Sequence, residues 1–156
     1  MIKLEAVVLA VKDIELSKKF YIELFDQKVM LDHGINISFD GGFALQQNFD
    51  WLVDISASEI ISKSCNMELY FEVTDFDQFI KKLTAYPNIK YVHPVKKHSW
   101  QQRVVRIFDP DDHMIEIGES MDIVIKEQLL LGKPIEEVSK ITQYPIDYIK
   151  KISYEL

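Results

Sequence analysis

The densest set of side chains able to do chemistry lies in Arg103–Glu119, RVVRIFDPDDHMIEIGE. Its alternating first half breaks at Asp109-Pro110-Asp111-Asp112. There Asp side chains cap tight turns, and Pro, which fixes φ and lacks an amide proton, cannot sit in a central strand. His113–Gly118 then resumes as a second strand. A hairpin arm carrying a carboxylate, Glu116, is a place where a sheet can offer a ligand to a metal or a substrate. Arg103 and Arg106 on the other arm would pair with it if its role is structural, since a buried charge must be paired or neutralised. Glu68, Tyr70 and Glu72 share one face of another predicted strand; an aromatic among carboxylates either walls a ligand or packs the sheet. Trp51 and Trp100 fall in irregular segments, where such side chains line a pocket mouth or plug the structure. Of His33, His93, His98 and His113, His98 sits in the loop Lys96–Trp100 with reach over a site, and His113 alternates away from Glu116. No Gly-rich phosphate loop, Ser-His-Asp pattern or CxxC pair is present.

The elements that must position these groups follow from periodicity. Lys3–Val11 alternates as a strand, and Asp13 N-caps a helix to about Phe25, with Glu15 well placed for the helix dipole. Lys28–Asp32, Asn36–Phe39 and Phe43–Gln47 read as short strands, the last two separated by a hairpin-type Asp-Gly. Asn48–Asn66 is irregular, with a helical segment at Ala57–Ser62. The pattern then repeats: strand Met67–Val73, Asp75 capping a helix Phe76–Thr84, then strands Ile89–Pro94, Arg103–Phe108 and His113–Gly118. A strand–helix–three-strand unit occurring twice is an internal repeat. Beyond it, Asp122–Leu131, Ile135–Ile141 and a segment from Pro145 to Ile152 read as helices. The stretch GKPIEEVSKITQYP resembles the first half of a helix-turn-helix, but its second helix offers only Lys150 and Lys151 as basic side chains, too few for a DNA reader. Packing or dimer support is the expected role of this tail.

With 156 residues, 47% of them hydrophobic, the chain has room for a proper core. No run of about 18 apolar residues suggests a membrane span. Glu5 interrupts the apolar N-terminus, which is expected to be a first strand and not a signal peptide. The single cysteine, Cys65, excludes an intramolecular disulfide and fits a cytoplasmic protein. A net charge of −7 argues against general nucleic-acid binding and permits cationic ligands.

Trp100-Gln101-Gln102-Arg103 followed by Phe108-Asp109-Pro110-Asp111-Asp112-His113-Met114-Ile115-Glu116 resembles the last hairpin of the vicinal-oxygen-chelate superfamily: glyoxalases, extradiol dioxygenases, and fosfomycin- and bleomycin-resistance proteins. Gln101 and Asp112 stand where that superfamily commonly has glycine, which predicts slightly remodelled turns. The resemblance implies an α+β fold: two βαβββ modules, about 1–48 and 66–119, forming one cupped mixed sheet over residues 1–119. Residues 120–156 add a helical extension. It also implies a homodimer and a ligand site on the concave side. Carried over, the superfamily's metal positions fall on Glu116, Glu68 and Gln46, with Gln47 next in line, whereas the first-strand position falls on Ala6, which has no donor. Two carboxylates and an amide suit a hard cation such as Mg²⁺ or Mn²⁺ better than Ni²⁺ or Zn²⁺.

These residues admit a divalent-metal lyase, isomerase or transferase acting on a small oxygen-rich molecule, with Glu116 and Glu68 catalytic and Tyr70, Trp51, His98, Trp100 and Arg103 contacting substrate. They equally admit a metal-free protein binding a small cationic or aromatic ligand in the same cup. A ligand-sensing regulator using the tail is a weaker third reading.

Overall fold

The computed structural model describes residues 1–154; Glu155 and Leu156, the end of the 120–156 extension, lie outside the described residues. Two modules succeed each other along the chain. The first is β1 (Val7–Val11), α1 (Ile14–Phe25), β2 (Val29–Asp32), β3 (Asn36–Phe39) and β4 (Phe43–Gln47). After α2 (Phe49–Val53) and a 3-10 turn at Ala57–Glu59 comes the second: β5 (Glu68–Val73), α3 (Phe76–Ala85), β6 (Lys90–Lys97), β7 (Arg103–Phe108) and β8 (Met114–Glu119). The tail forms α4 (Met121–Leu130), α5 (Ile135–Thr142) and α6 (Ile146–Ser153). Each module makes its own four-stranded sheet, in the orders β1-β4-β3-β2 and β5-β8-β7-β6. This is the α+β, two-module architecture expected from the repeat. The chain divides into two compact units, Met1–Glu68 with Tyr86–Lys90 and Phe108–Met114, and Leu69–Ala85 with Tyr91–Ile107 and Ile115–Leu156.

In the first unit β1 pairs parallel with β4, and β3 pairs antiparallel with both β4 and β2. Period-two alternation sends Leu9, Val11, Ile37, Phe39, Phe43 and Leu45 toward a core shared with Phe20, Tyr21 and Leu24 of α1, all buried. The α1 N-cap forms as its sequence predicts, with the Asp13 carboxylate accepting from the Leu16 amide at 3.0 Å. Three local expectations are corrected. The first strand begins at Val7, not Lys3; Lys3 and Glu5 instead form an exposed ion pair. The helix expected at Ala57–Ser62 shrinks to the three-residue 3-10 turn, closed by a Ser56–Glu59 capping box. The stretch before it, read as irregular, contains α2.

The Asp-Pro-Asp-Asp turn is a staple within this unit. The Asp109 carboxylate accepts from Tyr21 Oη on α1 at 2.8 Å, from the amides of Asp111 and His113 at 2.9 and 2.8 Å, and lies 2.8 Å from His113 Nδ1. Asp111 in turn accepts from Ser17 Oγ at 3.0 Å and from the Lys12 amide at 3.0 Å. Burial pushes the Tyr21 phenol well up, reinforced by the Asp109 charge. Burial alone would lower the His113 pKa, but the hydrogen bond and charge of Asp109, with Asp111 and Asp112, outweigh it and raise it.

In the second unit α3 starts at the Asp75 cap, whose carboxylate accepts from the Gln78 amide at 2.9 Å. Strand β6 runs past the expected Pro94 to Lys97; lying at the sheet edge, it tolerates a residue with no amide proton. The tail builds its own small core from Ile125, Val138, Ile149 and Ile152, with Leu129, Ile135 and Tyr144 packed against it.

The two turns that lack glycine are both left-handed. Gln101 has φ 75° and Asp112 φ 68°, so both keep the left-handed backbone that glycine would adopt freely. Such a conformation costs an L-residue roughly 1 kcal/mol.

Candidate functional site

One face of the second sheet collects several of the expected residues. A Cβ added to Gly118 would come within 2.6 Å of Gln102 Nε2 and 3.0 Å of the Tyr70 ring, so Gly118, Tyr70 and Gln102 meet on one side. Alternation then places Glu116 on β8, Glu72 on β5, and Val104 and Arg106 on β7 on that side too. Arg103 and Arg106 are an odd number of residues apart and so point to opposite faces.

Arg106 forms an ion pair with Glu116, and its Nη1 lies 3.3 Å from His93 Nε2. Glu116 is only 7% exposed, so this guanidinium compensates a largely enclosed carboxylate. Arg103 is tied up on the α3 side. It grips Glu119 through two hydrogen bonds of 3.1 and 2.6 Å, reaches Asp77 at 2.9 Å, and lies 4.9 Å over the Phe76 ring. The Glu119 hydrogen bond, with Asp77, raises its pKa further, so it stays charged. A fork-to-fork pair of this kind fixes geometry, here of β7 and β8 against α3.

Tyr70 and Trp100 come together through a residue that sequence reasoning passed over, Gln102. Its Nε2 donates to Tyr70 Oη at 2.8 Å and to the Glu119 carbonyl at 2.9 Å, while its Oε1 accepts from Trp100 Nε1 at 3.0 Å. Tyr70 Oη donates to Glu72 at 2.7 Å. Burial raises the Tyr70 pKa, and the Glu72 hydrogen bond adds to it, so this phenol is a donor and not a base at neutral pH. His98 stacks on Trp100 with centroids 4.0 Å apart and planes at 10°. Burial, then the charges of Arg106, His93 and Lys96, lower its pKa and keep it neutral near pH 7.

Tyr70, Trp100 and Gln102, with Met121, Thr142, Gln143 and Tyr144 of the tail, line an open pocket of about 300 Å³. Alternation hints at Gln102, two residues before Val104; nothing local to Tyr144 marks it as a wall.

The remaining expected positions belong to the first unit. Gln46 is buried on β4, where Oε1 accepts from Asn36 Nδ2 at 2.8 Å and Nε2 donates to the Gln47 carbonyl at 2.6 Å. Its register partners are Ala10 and Asn36. Val8 and Ala10, on the same face of β1, bear no donor atom, and Ala6 precedes the strand. Gln47 faces the other way and caps α1, accepting from the Ile14 amide at 3.1 Å. Glu68 opens β5 in an exposed position. Trp51, on α2, is 69% exposed. A second cavity of about 330 Å³, between α1 and Tyr86–Lys90, contains none of the expected residues. Among the described residues, no group of three or more His, Cys, Asp or Glu side chains is arranged to hold a metal ion.

Comparison with known proteins follows this geometry. The glyoxalase-like domain family matches residues 4–122. A crystal structure of a protein of unknown function from Agrobacterium tumefaciens is 33% identical, with TM-score 0.66 over 77% of this chain and 95% of that one. A glyoxalase/bleomycin resistance protein/dioxygenase family enzyme from Burkholderia phytofirmans, 16% identical, has TM-score 0.66 over 76% and 98%. The fosfomycin resistance protein FosX of Listeria monocytogenes, 15% identical, has TM-score 0.57 over 77% and 94%. The last two show likeness of fold. No curated protein sequence matches.

Proposed function

We propose a metal-independent small-molecule-binding role for this chain, which belongs to the glyoxalase-like domain family. The observation that carries the reading is the Arg106–Glu116 ion pair: the carboxylate at the family's eighth-strand ligand position is already matched by a guanidinium. A divalent cation there would have to displace Arg106 and leave that cation without its partner. Gln46 has its amide oxygen engaged by Asn36, and the first-strand position has no donor. With the Glu116 carboxylate paired and the Gln46 amide oxygen engaged, these positions do not offer the free carboxylate anchors by which Mg²⁺ or Mn²⁺ is held among its waters, nor the imidazoles that suit Zn²⁺ or Ni²⁺. The face of the second unit bearing Tyr70, Glu72 and Glu116 is the ligand surface in this reading, with carboxylates beside an aromatic ring, and suited to a small cationic or aromatic molecule. The reading includes a cytoplasmic homodimer. Open sheet edges support the dimer, since β1, β2, β5 and β6 each end a sheet and the exposed Val8, Leu31 and Val92 lie on them.

Calorimetry on chelator-treated protein tests it, with Mn²⁺, Mg²⁺, Ni²⁺ and Zn²⁺ as titrants and Glu116→Ala and Glu68→Ala alongside. The expected result is no one-site metal binding by the wild-type chain. One-site binding that either substitution abolishes overturns the reading and restores the metal-dependent lyase, isomerase or transferase.

A further inference from the structure

The cavity between the second sheet and the tail is walled by rings. Tyr70 and Trp100 stand on the sheet side and Tyr144 on the tail side, with Tyr148 next to Tyr144 at a centroid separation of 5.0 Å. The tail wall is held in place by its own turn. Gln143 takes a left-handed conformation at φ 64°, Ser139 Oγ donates to the Tyr144 carbonyl at 2.6 Å, and Thr142 Oγ1 donates to the Val138 carbonyl at 2.8 Å. A wall fixed in advance costs a ligand little ordering.

Two of the tyrosines are hydrogen-bonded to carboxylates, while the positive charges of Arg106 and Lys96 are felt at His98, on the side of Trp100 where the two rings stack. Tyr70 Oη donates to Glu72 at 2.7 Å and Tyr148 Oη donates to Asp122 at 2.6 Å. Neither carboxylate is paired with a basic side chain among the described residues. The field is felt by the phenols: hydrogen bonding to Asp122 pushes Tyr148 up to about 12, and Glu72 and Asp122 both raise Tyr144 after burial does. His98 stacks on Trp100, and burial, then the charges of Arg106, His93 and Lys96, lower its pKa, which disfavours a further positive charge there. Ring faces attract cations through their quadrupole, and ionised carboxylates nearby add to that attraction.

We propose that this cavity binds the head of a small organic cation, a protonated or quaternary amine, against Tyr70, Trp100 and Tyr144. The inference rests on the reading of this face as a ligand surface and names the class of ligand. The tail residues would make the site: without Tyr144 two walls remain, and the cation would sit at an open surface.

Trp100 reports binding directly once the other tryptophan is removed. Trp51→Phe protein, with Trp51 exposed and outside the cavity, is titrated with choline and with its neutral isostere 3,3-dimethyl-1-butanol at low salt. Choline is expected to quench saturably and the neutral isostere to bind about tenfold more weakly or worse. In that background Tyr144→Leu should bind choline about tenfold more weakly and Glu72→Gln several-fold more weakly. Equal binding of isostere and cation overturns the proposal, as does the absence of choline quenching in the folded Trp51→Phe protein. Undiminished choline binding by both Tyr144→Leu and Glu72→Gln overturns it as well. If choline fails while neutral phenol quenches Trp100, the face still binds ligands and only the cation assignment falls. If Mn²⁺ binds one site that Glu116→Ala abolishes, it is the metal-independent reading that falls, whatever choline does.

Discussion

Asp109 and Glu116 stand on one hairpin and are nearly equally enclosed, at 1% and 7% exposure, yet their surroundings differ in kind. Asp109 is met from four directions by a phenol, two backbone amides and an imidazole. Glu116 meets the guanidinium of Arg106. The first arrangement spreads the charge over short, local donors that are themselves parts of the turn and of α1, so nothing can leave without unravelling the joint. The second depends on one long side chain from the neighbouring strand. The Asp-Pro-Asp-Asp-His run that is most recognisable in the sequence thus serves architecture through many donors, and Glu116 through a single partner.

Removing each partner in turn measures the contrast. Arg106→Met leaves Glu116 enclosed and uncompensated and should cost about 3 kcal/mol, at the low end for a buried pair because the guanidinium is partly exposed. Urea unfolding reads this, and Arg106→Met with Glu116→Gln should recover most of it. A loss under about 1 kcal/mol would mean that other donors serve Glu116, erasing the difference between the two sites. Tyr21→Phe removes one of four donors from Asp109 and should cost roughly 2 kcal/mol, seen as a Tm lower by about 5 °C. A cost as large as that of Arg106→Met would show the Asp109 network to be as dependent on one partner as Glu116 is.

The smallest effect is in pH. Because the His113 pKa is raised in the fold, the stability it contributes is fully present below its unfolded pKa of about 6.5 and is lost as pH rises through the folded value. The stability gap between wild type and His113→Gln should therefore be widest in mild acid and narrow steadily on going alkaline. A gap that does not change with pH would remove protonation from the account of this joint.

The fold was legible because local signals agreed. Asn36–Phe39, Phe43–Gln47 and Arg103–Phe108 alternate between turn residues and form strands with those bounds, and Asp13 and Asp75 cap helices where they stand. The site was legible only in part. Which arginine faces Glu116 was present in the spacing, since residues 103 and 106 cannot share a face of one strand. What Gln102 holds and what Tyr144 lines were not: both depend on contacts across 32 or more residues, from Tyr70 to Gln102 and on into the tail. Backbone strain was equally hidden. A glutamine and an aspartate in left-handed turns look, in sequence, like a departure from the pattern, whereas the chain keeps the pattern and accepts the strain.

The tail's separate core has a kinetic consequence. Ile125, Val138, Ile149 and Ile152 make α4, α5 and α6 a cluster that coheres by itself, joined to the sheet by contacts such as the Ser120 amide to the Val73 carbonyl at 2.9 Å. Such a piece can swing off as a unit in a local opening that leaves the strands paired. Amide protons of α5 and α6 should then trade with solvent faster than those of β7 and β8. A ligand seated between the tail and the sheet would hold the two together and slow that opening.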